Sequence, residues 1–194
     1  MAWQHPPALG CRFSFLHLPC GRCGHSMIDT EEALVLFAGF NGKKWLNDVH
    51  FFNKQTLVWT QKTISGYLPE PRQYHTACKV SNSMFIFGGY NGQTWLNDFF
   101  FLDLTLLAWH KVPGSGEVPS AREGHSMSFV GSDIYIFGGW DGSTLTDLYK
   151  YSKSTWQKIS AKGPSLCGHS MTLVNNSFYI FGGFNGLDLS LIHI

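Results

Sequence analysis

The chain has 194 residues and a net charge of +1; 44% of its residues are hydrophobic, 15% aromatic and only 14% charged. That is enough apolar material for one substantial core, which excludes a disordered tail. The Lys and Arg residues form no cluster of the kind a phosphate-binding or anionic membrane surface needs, so neither nucleic acid nor a polybasic membrane contact is expected. No apolar stretch is long enough to cross a bilayer, and the most hydrophobic window, Phe99–Trp109, is interrupted by Asp103. Arg12 and His17 break up the short apolar stretch Phe13–Leu18, which makes a poor signal peptide. Five scattered cysteines make no disulfide framework, so a reducing, cytoplasmic setting is the expectation.

Along the chain, residues 1–17 follow no pattern, although Trp3 fits the last strand of a preceding unit. A repeat then begins. Each unit opens on a histidine: His25, His75, His125 and His169, spaced by 50, 50 and 44 residues. An apolar run follows and closes on a small pair: Ala38-Gly39, Gly88-Gly89, Gly138-Gly139, Gly182-Gly183. One aromatic comes next (Phe40, Tyr90, Trp140, Phe184), then Asn41-Gly42, Asn91-Gly92, Asp141-Gly142 and Asn185-Gly186. Asp48, Asp98 and Asp147 precede mostly apolar stretches, and Trp59, Trp109 and Trp156 close the first three units. The units run 18–67, 68–117, 118–162 and, as a front half only, 163–186; the tail 187–194 is again off-pattern.

Each full unit reads as four short strands, and the second is apolar at consecutive positions, as in Ile134, Tyr135, Ile136 and Phe137. A strand with one wet face would alternate, so this one is buried on both. Sheets stacked around an axis supply that burial, which predicts an all-β propeller of three complete four-stranded blades plus a partial fourth. The Asn/Asp-Gly pairs predict tight reversals between second and third strands. Within the small pair, Ala38 argues that the first position requires only absence of bulk, while Gly39, Gly89, Gly139 and Gly183 supply positive φ.

The series Pro71-Arg72-Gln73-Tyr74-His75, Phe87-Gly88-Gly89, Asn91-Gly92, Leu96-Asn97-Asp98 and Trp109, repeated in register over roughly residues 18–186, resembles the kelch repeat. The connector Pro113–Pro119 is similar to that of the long-repeat branch, which includes the leucine-zipper-like regulator, the Rab9 effector and the cell-end marker kelch proteins. The resemblance implies a protein–protein interaction module within a larger kelch protein: a ubiquitin-ligase substrate receptor, or a trafficking or cytoskeletal scaffold. Kelch-like propellers also resemble the central domain of galactose oxidase and some plant specifier proteins, which leaves an enzyme as the alternative. Complete propellers have about four to eight blades, so three and a half units read as a fragment of a longer protein.

Chemistry-bearing residues mostly obey the repeat, whereas a catalytic site should break it. Cys20 and Cys23 have no second pair to complete a four-ligand zinc site. The four histidines, in register with the strand starts, are expected to hold backbone at the turn entering each blade. Asp48, Asp98 and Asp147 sit one per blade, unlike a coupled acid and base, and are expected to hydrogen-bond turns. No phosphate loop, nucleophile elbow or metal-binding helix is present, so neither catalysis, a cofactor nor a metal is expected. The aromatics Phe40, Tyr90, Trp140 and Phe184 lie in connections on one rim, with Arg72 and Arg122 expected in the adjoining loops. Either each ring packs on its own turn, or the set forms a partner-binding surface; the kelch resemblance favours the latter.

Overall fold

The computed structural model describes residues 18–161, 163–175 and 177–189. The segment 1–17, with Trp3, and residues 190–194 of the tail lie outside them. The described chain is all strand and turn, with fifteen strands in four sheets.

Blade 1 is a meander of β1 (Ser26–Asp29), β2 (Ala33–Phe40), β3 (Trp45–Asn53) and β4 (Val58–Lys62), in the order β1-β2-β3-β4. Blade 2 contains β6 (Thr76–Val80), β7 (Ser83–Tyr90), β8 (Trp95–Asp103) and β9 (Ala108–Lys111), with the short β5 (Ser65–Gly66) added in parallel outside β9. Blade 3 is β10 (Ser126–Val130), β11 (Asp133–Phe137), β12 (Leu148–Ser152) and β13 (Thr155–Ile159). The front half of a fourth blade is β14 (Ser170–Val174) paired with β15 (Ser177–Phe181). Strands β1, β6, β10 and β14 lie side by side on the axis side.

The connectors cover outer edges that would otherwise offer unpaired backbone to other chains. Ser65 and Gly66 pair with Ala108 and Trp109, so blade 2 takes in two residues from the unit before it. Gly116, in the Pro113–Pro119 connector, bridges to Trp156 in the same way, and Glu117 N donates to the Trp156 carbonyl at 2.9 Å.

The core lies between blades rather than within them. One cluster joins Val35, Phe37 and Val49 of blade 1 to Met84, Ile86, Leu102 and Trp109 of blade 2. The next joins Phe87 and Phe99 of blade 2 to Ile134, Ile136, Tyr149 and Trp156 of blade 3. The closing tryptophans are wedges in these seams. Trp109 reaches Phe37 of the preceding blade at 4.9 Å between centroids, and Trp156 reaches Phe87 at 5.5 Å and Phe99 at 5.2 Å. Both are 1% exposed. Trp59, with no earlier blade among the described residues, packs on Phe52 of its own sheet and is half-buried.

The small pair shows what a seam requires. Both of its positions have left-handed backbone: φ is 60° at Ala38, 61° at Gly88, 60° at Gly138 and 70° at Gly182, as well as 103°, 100°, 109° and 91° at Gly39, Gly89, Gly139 and Gly183. The expectation that the first position requires only small size is therefore corrected; Ala38 adopts the same strained angle as its glycine counterparts. The double left-handed step produces the register shift between Phe37 and Gly39 against β3, and between Phe87 and Gly89 against β8. At the second position there is also no room. A Cβ on Gly89 would sit 2.6 Å from the Gln73 carbonyl oxygen and 2.9 Å from the His75 Cβ.

The histidines were expected to hold backbone at the entry turns; three of them bond across the seam instead. His75 Nε2 is hydrogen-bonded to Ser26 Oγ at 2.6 Å, His125 Nε2 to Thr76 Oγ1 at 2.6 Å, and His169 Nε2 to Ser126 Oγ at 2.8 Å. Each ring thus crosses to the first strand of the preceding blade and lies edge-on to its phenylalanine, Phe37, Phe87 or Phe137. Burial, reinforced by the charges of Arg72 and Arg122, holds His75 and His125 well below their ordinary value of 6.5.

Two outcomes follow. Gly89→Val should lower stability by on the order of 3 kcal/mol, against about 1 kcal/mol for Trp140→Ala, because strain and overlap combine only at the glycine. Equal melting shifts for the two variants would refute that separation. Separately, His75 and His125 stay neutral when folded but take protons when unfolded, so they favour the folded state above their unfolded value and cease to as pH falls below it. The melting temperature should therefore drop on acidification from about pH 7 to about pH 5, and His75→Gln should flatten the decline. A flat profile in the parent would contradict the buried, neutral state.

Candidate functional site

The rim carrying Phe40, Tyr90, Trp140 and Phe184 is built on buried arginines. Arg72 and Arg122 are 0% exposed, which corrects their expected place in partner-facing loops. Arg72 donates from Nη1 and Nη2 to the two carboxylate oxygens of Asp98, at 2.5 and 2.8 Å, and from Nη1 to the Gly88 carbonyl at 2.9 Å. Arg122 grips Asp147 at 2.6 and 3.1 Å and the Gly138 carbonyl at 3.0 Å. Arg22 does the same with Asp48, at 2.6 and 3.0 Å, and with the Ala38 carbonyl. The aspartates are ion-pair partners, not turn residues. Burial opposes ionisation of Asp48 and Asp147, but the hydrogen bonds and charges of Arg22 and Arg122 outweigh it and hold both carboxyls below the ordinary carboxylate range. Turn hydrogen bonding falls to the asparagines: Asn91 Oδ1 accepts from the backbone of Gln93 and Thr94, and Asn41 and Asn185 act alike.

In this environment Asp98→Ala should cost about 3–5 kcal/mol, since it strands a guanidinium away from water. Calorimetry against the parent checks this; a loss below about 1 kcal/mol would mean that water or another acceptor satisfies Arg72.

Each rim aromatic is half-buried and sits opposite the residue that follows the repeat arginine, or Leu166 in the fourth unit: Cys23 with Phe40, Gln73 with Tyr90, Glu123 with Trp140, and Cys167 with Phe184. Phe40 and Tyr90 close strands β2 and β7 rather than lying in loops. Both have aromatic neighbours: Phe40 lies 4.7 Å from Trp45, while Tyr90 lies 6.3 Å from Trp45 and 6.2 Å from Trp95. Trp45 and Trp95 open the third strands and reach the following blade, where Trp45 covers Gly92. Their part in the rim was missed in the sequence, although Trp45 and Trp95 recur at a spacing of 50. In blade 3 the equivalent position is Thr144, which bridges to Trp140 as Trp45 does to Phe40 and Trp95 to Tyr90, and Trp140 has no aromatic ring packed on it among the described residues.

Beside Trp140, an almost wholly apolar pocket of about 200 Å³ opens between blades 2, 3 and 4, lined by Tyr74, Glu123, Gly124, Trp140, Cys167 and Gly168. Tyr74 is 46% exposed and has a φ of 52°, in the slot that Gly24, Gly124 and Gly168 occupy elsewhere. Backbone hydrogen bonds link these slots from blade to blade: Tyr74 N to Gly24 O at 2.7 Å, Gly124 N to Tyr74 O at 2.9 Å, and Gly168 N to Gly124 O at 2.7 Å. Burial raises the Glu123 carboxyl above its ordinary range, against the hydrogen bond it accepts from Trp95 Nε1 at 3.2 Å.

Among the described residues, no group of three or more His, Cys, Asp or Glu side chains is arranged to hold a metal ion. No helix among the described residues is long and apolar enough to cross a membrane.

A family model, the KLHDC2/KLHL20/DRC7 Kelch-repeats domain, matches residues 1–183. The chain belongs to the kelch-repeat family. Kelch-repeat domains generally mediate protein–protein interaction, and those of this type are typically non-catalytic modules. The family model does not single out the long-repeat branch that the connector suggested.

Proposed function

We propose that this kelch chain is the recognition part of a larger protein, a ubiquitin-ligase substrate receptor or a trafficking or cytoskeletal scaffold, and that it binds its protein partner through the rim of Tyr90, Trp140 and Phe184, with Phe40 at its end. The observation that carries the reading is Trp140: an aromatic that its own blade leaves without a ring neighbour, next to an apolar pocket. Large aromatics beside desolvated hollows are the usual anchors of protein interfaces. Arg72 and Arg122 have no part in this surface, because both are committed to their aspartates. The same proposal includes a cytoplasmic setting, supported by Cys20, Cys23, Cys78 and Cys167 being free thiols.

The test is site-specific photocrosslinking in cells. A crosslinker at position 90 or 140 should trap one protein repeatedly, while one at Leu106, exposed in the β8–β9 turn, should not. Trp140→Ala should weaken binding of the trapped protein by about 2 kcal/mol with little loss of melting temperature. Equal trapping from Leu106, or parent-like binding by the Trp140→Ala and Tyr90→Ala variants, would remove the rim from the interface.

A further inference from the structure

Glu123 combines two properties that ordinarily do not coexist at a protein surface. It is half-buried in the wall of the apolar pocket, and it has no counter-charge: among the described residues no Lys or Arg forms an ion pair with it. One oxygen accepts the Trp95 indole N–H, while the other, Oε2, is closed off from solvent and has no hydrogen-bond partner. A carboxylate in that condition is costly to keep ionised, and the cost falls if a cation enters the hollow beside it.

The remaining walls suit such a cation. Trp140 is the hydrogen-bonded cross-strand neighbour of Glu123, its N–H donating to the Glu123 carbonyl at 2.8 Å and its carbonyl accepting the Glu123 N–H at 3.0 Å. Tyr74 supplies a second aromatic wall from blade 2, held at a backbone angle that the other three blades give to glycine. Strain retained at one blade of a repeat points to a role outside the repeat. Aromatic faces attract guanidinium and ammonium groups, most strongly where water is excluded. At about 200 Å³ the pocket is below the range of small-molecule sites, about 300–1,000 Å³, and matches a single side chain.

We infer that the hollow between Tyr74, Trp140, Glu123 and Cys167 receives one basic side chain, an arginine, from the protein partner. Arginine is favoured over lysine because its flat guanidinium stacks on Trp140 or Tyr74 while its N–H groups reach the carboxylate. The inference rests on the reading of the rim as the partner surface and specifies the chemistry that this surface selects.

The test is selection of a random heptapeptide display library on the 194-residue chain. The enriched peptides are then resynthesised with each basic residue replaced by citrulline or by lysine. Peptides whose binding is lost on Trp140→Ala should carry an arginine. Its replacement by citrulline, which keeps the shape and loses the charge, should weaken them about tenfold or more, and lysine should fall between. Glu123→Gln, which keeps an acceptor for Trp95, should cause the same loss for arginine peptides, make no difference to citrulline peptides, and leave the melting temperature unchanged. Rim-dependent peptides without a basic residue, or arginine peptides indifferent to Glu123→Gln, would overturn the inference while leaving the rim as a partner surface. If no selected peptide responds to Trp140→Ala or Tyr90→Ala, both readings fall.

Discussion

A guanidinium cut off from water must find acceptors for its N–H groups, and in this fold they come from three parts of one blade at once. Arg122 satisfies all five: its side chain meets Asp147 just before the third strand, the Gly138 carbonyl just after the second, and the Ser120 carbonyl and hydroxyl from its own approach loop. The residue that lends this carbonyl, Gly138, has a left-handed backbone. The next residue, Gly139, turns its N–H to the following unit and donates to the Leu166 carbonyl at 2.8 Å; Gly89 and Gly39 do the same to Arg122 and Arg72. Side-chain burial within a blade and backbone bonding between blades therefore meet at two consecutive residues. The aromatic seams assemble around that point.

The fourth unit shows what the arrangement tolerates. Leu166 replaces the arginine and is fully buried, and its backbone still accepts from Gly139 and donates to the Leu145 carbonyl. The backbone link between blades thus survives without the ion pair. This agrees with the general behaviour of buried charge pairs, which apolar groups can replace as a set but which tolerate poorly the loss of one member.

Much of this was legible in the residues. Strand order and the demand for glycine at positions 39, 89, 139 and 183 follow from period and composition, because they are properties of each unit by itself, whereas the sequence shows the tryptophans only as closing each unit and not as wedges against the blade before. The misreadings share a cause: they concern where a side chain ends, which depends on other units or on distant parts of the same one. Arg72 and Asp98 lie 26 residues apart, so their pairing is invisible in either local pattern, and a charged pair at loop edges looks exposed. His75 and Ser26 lie 49 residues apart and meet only because blades stack. Ala38 misled for another reason: a strained alanine cannot be told from a relaxed one by its letter. The pocket beside Trp140 was out of reach because residues of three units line it, and one of its walls is an exception, Tyr74 where the other units have glycine.

The two faces of each blade are chemically unlike. One sends out a histidine and a tryptophan; the other presents a hydroxyl and a phenylalanine to receive them. In β15 the receiving face stands open, with Tyr179 42% and Phe181 61% exposed. A surface of this kind differs in chemistry from the face that it meets elsewhere in the chain. In the described blades the face of this kind is met by the opposite face of the next blade, as Phe37 is by Trp109 and Phe87 by Trp156. Stacking of blades is therefore directional, each face meeting its opposite, which is the geometry that heterologous contacts share.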